Sequence, residues 1–244
     1  MSRSSTVRNA AWLWFIATVA VLIVSFRQAI FLAPTEATMG NLQRIFYYHV
    51  PHATLGLVFP YINVAASLCY LYWRRRDPLK ALTADALAVA SAEMTVLFVS
   101  IGLLSGMLWG KPAWGIWWAW DARLTTYLIL WLLYVSYLLL RRFSPTGQTG
   151  VLSAVLAVFA AIDVPIVYMS IRWWRTQHPA PVFGGGPDSG LDPAMLSAFF
   201  WNLAGWTMWG IFILLFRFAL ERRRQLAEQE AALQALEASL ETPQ

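Results

Sequence analysis

The chain has 244 residues, of which 59% are hydrophobic and only 13% are charged. So few polar side chains cannot cover a soluble globule of this size, and the composition points to a polytopic membrane protein. The net charge of +5 does not argue for a nucleic-acid partner, because the basic residues sit at the ends of apolar runs, as topology determinants do, with no nucleic-acid-binding pattern beside them.

Arg3 and Arg8 precede the first apolar run, 11–32. It is longer than a signal-peptide core and no small-x-small cleavage site follows, so it is expected to remain as a first span. Five more runs of spanning length follow at 51–73, 84–108, 124–140, 150–170 and 194–218. Hydrocarbon offers no partner to a backbone amide, so each is expected to be a helix, giving an all-α fold of six transmembrane helices. The membrane domain covers 1–220. The remaining 221–244 is rich in Ala, Leu, Glu and Gln and is expected to be a charged, solvated helix or frayed tail. Cys69, the only cysteine, lies inside the second run, which excludes an internal disulfide, a Cys-x-x-Cys redox pair and covalent Cys-x-x-Cys-His haem attachment.

Orientation follows from the cations. Arg3, Arg8, Arg74, Arg75, Arg76, Lys80, Arg141, Arg142, Arg217, Arg222, Arg223 and Arg224 fall on one side, and Arg44, Lys111, Arg123, Arg172 and Arg175 on the other. The richer side is expected to be cytoplasmic, with both termini on it. Arg27 lies within the first span near its outer end, within snorkelling reach of the interface.

The second outer loop is then Trp-Gly-Lys-Pro-Ala-Trp-Gly-Ile-Trp-Trp-Ala-Trp-Asp-Ala-Arg, 109–123. Indole is amphipathic and suits either a membrane interface or a flat ligand. Gly110, Pro112 and Gly115 are expected to break the start of this loop. From Trp114, the positions of Trp117, Trp118 and Asp121 fall on one face of a short helix, predicted to lie in the interface. Asp121 and Arg123 suit local capping or pairing.

All three histidines fall on the outer side. His49 and His52 flank Pro51, which disfavours a helical metal pair and places the start of the second helix at Pro51, with His49 in the loop. A zinc site there lacks cysteine and carboxylate partners. His49 and His178 sit on the two loops flanking the tryptophans, and two readings stand. They are the axial ligands of a haem held against the indoles, with Arg172, Arg175, Arg123 or Lys111 on the propionates, or they are interface histidines that cap helix ends. Within the spans, Glu93 is expected to make a helix contact or part of a polar path, and Asp163 to serve backbone groups freed by Pro165.

The pattern Trp-Gly-x-x-x-Trp-Gly-x-Trp-Trp-x-Trp-Asp-x-Arg-Leu-Thr, here 109–125, resembles the tryptophan-rich "WWD" signature of the haem-handling family of cytochrome c maturation. Two further segments resemble the six-span CcmC group of that family: Arg-Ile-x-Tyr-x-His-Val-Pro at 44–51, and Pro-Ile-x-x-x-Ser-x-x-Trp-Trp-x-Thr-x-His at 165–178. The resemblance covers roughly residues 10–220, and its last motif departs from the usual His-Gln by placing Pro179 after His178. It implies a protein of the bacterial inner membrane, not an enzyme, that holds haem b as cargo on its extracytoplasmic face. The axial ligands are implied to be His49 and His178. The platform and propionate contacts are implied to be Trp109, Trp114, Trp117, Trp118, Trp120, Asp121, Arg123 and Arg172. The implied partners are the haem chaperone CcmE, the ABC-type subunits CcmA and CcmB, the small protein CcmD and membrane lipid. The alternative from the residues is a b-haem subunit of a quinol-linked redox complex, and a third is a solute permease with an aromatic belt.

Overall fold

A computed structural model describes residues 3–144, 149–182 and 190–241. Its helices are α1 (Arg3–Arg27), α2 (Phe46–Trp73), α3 (Pro78–Trp114), α4 (Ala122–Phe143), α5 (Thr149–Trp173) and α6 (Pro193–Glu241), with a π-helical turn at Gln28–Leu32 and a 3-10 turn at Asn41–Ile45. All six are long and apolar enough to cross a membrane, as expected from the six runs. The α1–α2, α3–α4 and α5–α6 loops share one end of the bundle, called here the tryptophan end. The start of α1 and the end of α6 lie toward the opposite end.

α2 and α3 form the central hairpin, with α4 and α5 packed on one side and α6, backed by α1, on the other. One core cluster joins α3, α4 and α5 through Val99, Leu130, Tyr134, Ala157, Ala160 and Val167. A second joins α2, α3 and α6 through Leu55, Phe59, Met94, Phe98 and Leu214. Close approach near the tryptophan end depends on missing side chains. A Cβ on Gly56 of α2 would meet the Tyr127 hydroxyl at 2.6 Å, and one on Gly102 of α3 would meet it at 2.9 Å. Tyr127 of α4 is thereby wedged between the two central helices, its hydroxyl donating to the Ala53 carbonyl at 3.3 Å.

Several boundaries differ from those expected. α2 begins at Phe46 rather than at Pro51, because the 3-10 turn feeds straight into it and the helix carries Pro51 in its second turn, where the Tyr47 carbonyl loses its i+4 donor. His49 is therefore helical. α3 runs through Gly110 and Pro112 to Trp114, 37 residues or about 55 Å. It stops at Gly115, whose φ of 78° and N–H bond to the Lys111 carbonyl form a left-handed cap. The predicted Trp-rich interfacial helix is absent: Trp109 and Trp114 close α3, and 115–121 is non-helical. The periodicity from Trp114 was intact, but the left-handed glycine at its second position breaks the helix before any of it is used.

α6 continues past residue 220 to Glu241, and residues 242–244 lie outside the described set. The helix does not leave the fold at once. Glu221 and Gln225 are buried and join a network at the terminal end. Arg141 of α4 grips Asp85 of α3 with both guanidinium arms, at 2.8 and 2.6 Å. Gln225 adds a bond to the same carboxylate at 2.8 Å. Glu93 makes a helix contact: Arg217 of α6 holds it through two bonds of 2.6 Å. No hydrogen bond from Asp163 to a backbone group is seen among the described residues, and its Oδ2 is buried without a partner.

The Asp85–Arg141 pair yields a test. Asp85→Ala leaves a buried guanidinium uncompensated and is expected to destabilise the fold by about 3–5 kcal/mol, whereas Asp85→Leu combined with Arg141→Leu recovers most of the loss. Reversible unfolding in mixed micelles measures both. A double variant no more stable than the single contradicts the account.

Candidate haem site

The two histidines singled out from sequence arrive by different routes. His49 lies in the second turn of α2, over Gly106 of α3, where a Cβ would meet its Cε1 at 3.2 Å. Its Nδ1 lies 3.0 Å from the Ser105 hydroxyl. Ser105 spends its one proton on the Ile101 carbonyl at 2.6 Å. It therefore accepts from His49, which puts the imidazole proton on Nδ1 and the lone pair on Nε2. His178 follows α5 in the loop. Its Nδ1 lies 2.8 Å from the Pro179 carbonyl, which only accepts, so this ring too carries its proton on Nδ1. The two rings are close enough to interact electrostatically, and Arg123 lies within the same range of both.

His52 shares the tautomer but not the setting. It is buried, donates to the Tyr48 carbonyl at 2.6 Å and lies with its ring centroid 4.2 Å from that of Trp206. It is a core residue.

The tryptophans divide into two sets. Trp109 and Trp114 meet edge-to-face at 5.0 Å between centroids and are half-buried at the end of α3. Trp117 and Trp120 are 53% and 77% exposed, and Trp173 and Trp174 are 56% and 51% exposed. Trp118 is half-buried, and its Nε1–H is buried without a partner. Indole surface of this extent at one end of a bundle fits lipid headgroups or a flat ligand.

The charged residues of this end mostly serve the backbone. Arg44 donates to the carbonyls of Ala29 at 2.6 Å and Ala33 at 3.1 Å, closing the end of the π-helical turn. Lys111 donates to the Gly115 carbonyl at 2.9 Å. Arg123 reaches across to α5 and donates to the Val167 carbonyl at 2.6 Å. Asp121 is the N-cap of α4, its Oδ1 accepting the Leu124 N–H at 2.8 Å, and its Oδ2 accepts from Thr176 at 2.6 Å. Arg172 stacks over the Tyr168 ring at 5.0 Å. It lines a cleft of about 510 Å³ with Trp174, Arg175, Thr176 and His178. The Gly/Pro-rich run beyond it falls mostly in 183–189, outside the described residues.

Ser105 and Thr176 are the two polar partners that sequence reasoning missed. Thr176 lies two residues before His178 inside the 165–178 motif, where its spacing does not disclose the bond to Asp121, and Ser105 meets His49 only when α3 folds back on α2.

The chain matches the family model described as Heme exporter protein C over residues 2–233. It belongs to that family. Among curated relatives, the Heme exporter protein C of Bradyrhizobium diazoefficiens is 36% identical over 236 residues, covering 96% of this chain and 85% of the relative. That of Escherichia coli K12 is 32% identical over 222 residues, covering 86% and 87%. That of Rhodobacter capsulatus is 33% identical over 224 residues, covering 89% of each. Membership carries a role in haem export for cytochrome c maturation, and the helices make this a polytopic membrane protein.

The donor set suits that cargo. A protein-only metal site needs three or more ligands, and among the described residues no three His, Cys, Asp or Glu side chains converge. Haem brings four nitrogens of its own, so two neutral imidazoles complete the iron.

Burial pushes the His178 imidazole below its ordinary 6.5, and Arg123 acts in the same direction, against the Pro179 carbonyl and Asp121. Above 6.5 the ring is neutral whether the chain is folded or not, so it contributes nothing to pH dependence there. As pH falls below that value the unfolded chain takes up the proton first, and stability declines. In the ligand-free protein the His178 ring resonance, assigned with His178→Asn, is expected to titrate with a midpoint below 6.5. A midpoint at or above it contradicts the local electrostatics described.

Proposed function

We propose that this protein binds haem b at the tryptophan end, with His49 and His178 as axial ligands, and presents it to the haem chaperone CcmE. One observation carries the reading. Two histidines from opposite halves of the chain come within electrostatic range of each other, each with Nδ1 committed to a protein acceptor. Their Nε2 atoms are thereby in the ligating tautomer, and His178 lines a cleft with Trp174 and Arg172. The names of the relatives supply the cargo.

In this reading Trp117, Trp118, Trp120, Trp109 and Trp114 provide the wall for the macrocycle, and Arg172 in its cleft pairs with a propionate. Arg123 acts at one remove, with its guanidinium held to α5 while burial, aided by this charge, keeps the His178 imidazole below its ordinary range. The role is binding and presentation rather than catalysis. The arginine distribution supports placing the tryptophan end on the extracytoplasmic face of the inner membrane. CcmA, CcmB and CcmD are the expected partners in the membrane, by the resemblance already described.

The visible spectrum of protein purified with and without co-expressed CcmE tests this. The wild type is expected to show a low-spin Soret band that falls when CcmE is present. His49→Ala and His178→Ala are each expected to give high-spin haem, and the double variant to lose the band. A Soret band that survives the double variant sinks the ligand assignment, and one insensitive to CcmE sinks presentation.

A further inference from the structure

Asp121 has a place in the fold that neither capping nor haem contact accounts for. Its Oδ1 accepts the Leu124 N–H at 2.8 Å. Its Oδ2 accepts the Thr176 hydroxyl at 2.6 Å and the Gln177 N–H at 3.2 Å. The Thr176 oxygen then accepts the His178 N–H at 3.0 Å. One carboxylate thus ties three consecutive residues, 176–178, to the first turn of α4. That turn is itself fixed, because Arg123 beside it is held by the Val167 carbonyl of α5 at 2.6 Å. An ionised carboxylate only accepts hydrogen bonds. With both oxygens engaged it has little to offer an anionic propionate, and much to offer the backbone amides of the loop.

We propose that Asp121 and Thr176 form a clamp that positions His178 for iron ligation, so that the aspartate of the Trp segment acts on the haem through the His178 loop and never by touching it. The inference rests on the reading of His178 as an axial ligand. Thr176 is the sharper of the two positions to test. Thr176→Val keeps the shape and the α4 cap but removes the hydroxyl, leaving Oδ2 with the longer Gln177 bond and the His178 N–H without its acceptor.

The experiment uses the full chain purified with bound haem, comparing wild type, Thr176→Val, Thr176→Ser, Asp121→Asn and His178→Ala. The readouts are the ferric spin state per folded protein, the haem dissociation constant and the response to added imidazole. Thr176→Val is expected to shift haem from low to high spin and to weaken its retention about 10- to 100-fold, the range for removing a hydrogen-bond partner behind a metal ligand. Free imidazole is expected to restore the low-spin spectrum in Thr176→Val and in His178→Ala, while Thr176→Ser behaves as wild type. If Thr176→Val stays low-spin with unchanged affinity while His178→Ala is high-spin, the clamp is wrong and the ligand assignment stands. If His178→Ala is itself low-spin, the ligand assignment has failed instead. High-spin haem in Thr176→Val that imidazole does not restore shows a general loss of structure and overturns the positioning role. If Thr176→Val does not accumulate, Asp121→Asn decides by the same criteria, since asparagine caps helices as well as aspartate does but offers one oxygen in place of two.

Discussion

A backbone carbonyl or amide that leaves a helix within reach of a membrane has no water to fall back on, and the architecture of the tryptophan end follows from that. The spans are uninterrupted where they cross the bundle. The tryptophan end carries much irregular backbone: the π-helical turn after α1, the left-handed Gly115 after α3, the non-helical 116–121 segment and the loop after α5. Charged side chains meet much of it: Arg44 takes the carbonyls of Ala29 and Ala33, Lys111 that of Gly115, and Asp121 the amides of Leu124 and Gln177, while Arg123 fastens the start of α4 to the carbonyls of Val167 and Tyr168 inside α5.

The consequence for function is a division of labour. Charges that a sequence reader assigns to haem propionates are largely occupied in holding the backbone that presents the ligands. The same end also carries exposed indole surface and a cleft lined by Arg172, Arg175 and His178. A site of this kind contributes few bonds of its own to the cargo. In the proposed site, specificity rests on shape and on the geometry of two nitrogens, and that geometry is only as good as the Ser105 bond behind His49 and the Thr176 bond ahead of His178.

The six spans and the clustering of the histidine loops were legible because run length and hydropathy are local properties. The end of α3 was not. A 3.6-residue pattern from Trp114 predicts a helix through Asp121, yet one glycine at φ 78° outweighs it. Pro51 misled in the opposite sense: it marked a helix start that lies five residues earlier, and the helix runs through the proline with one backbone bond fewer. Glu93 invited a functional reading as a lone mid-span acid, and its partner Arg217 lies on α6, far away in sequence. No periodicity encodes such a pairing. It appears only once α3 and α6 are packed.

Asp121 shows why one residue of a motif resists assignment from sequence. Its spacing within the Trp segment suggests a member of an aromatic face, and its position before α4 suggests a cap, and the second suggestion is correct but incomplete. A cap needs one carboxylate oxygen. The other reaches Thr176 in a loop that joins two different helices, so the same side chain fixes the start of α4 and the approach of His178. Loss of the carboxylate therefore has two separable consequences, one for the stability of α4 and one for the placement of His178. The order of the motif, with its aspartate directly after the last tryptophan, is what lets the tryptophan segment and the His178 loop share a single anchor.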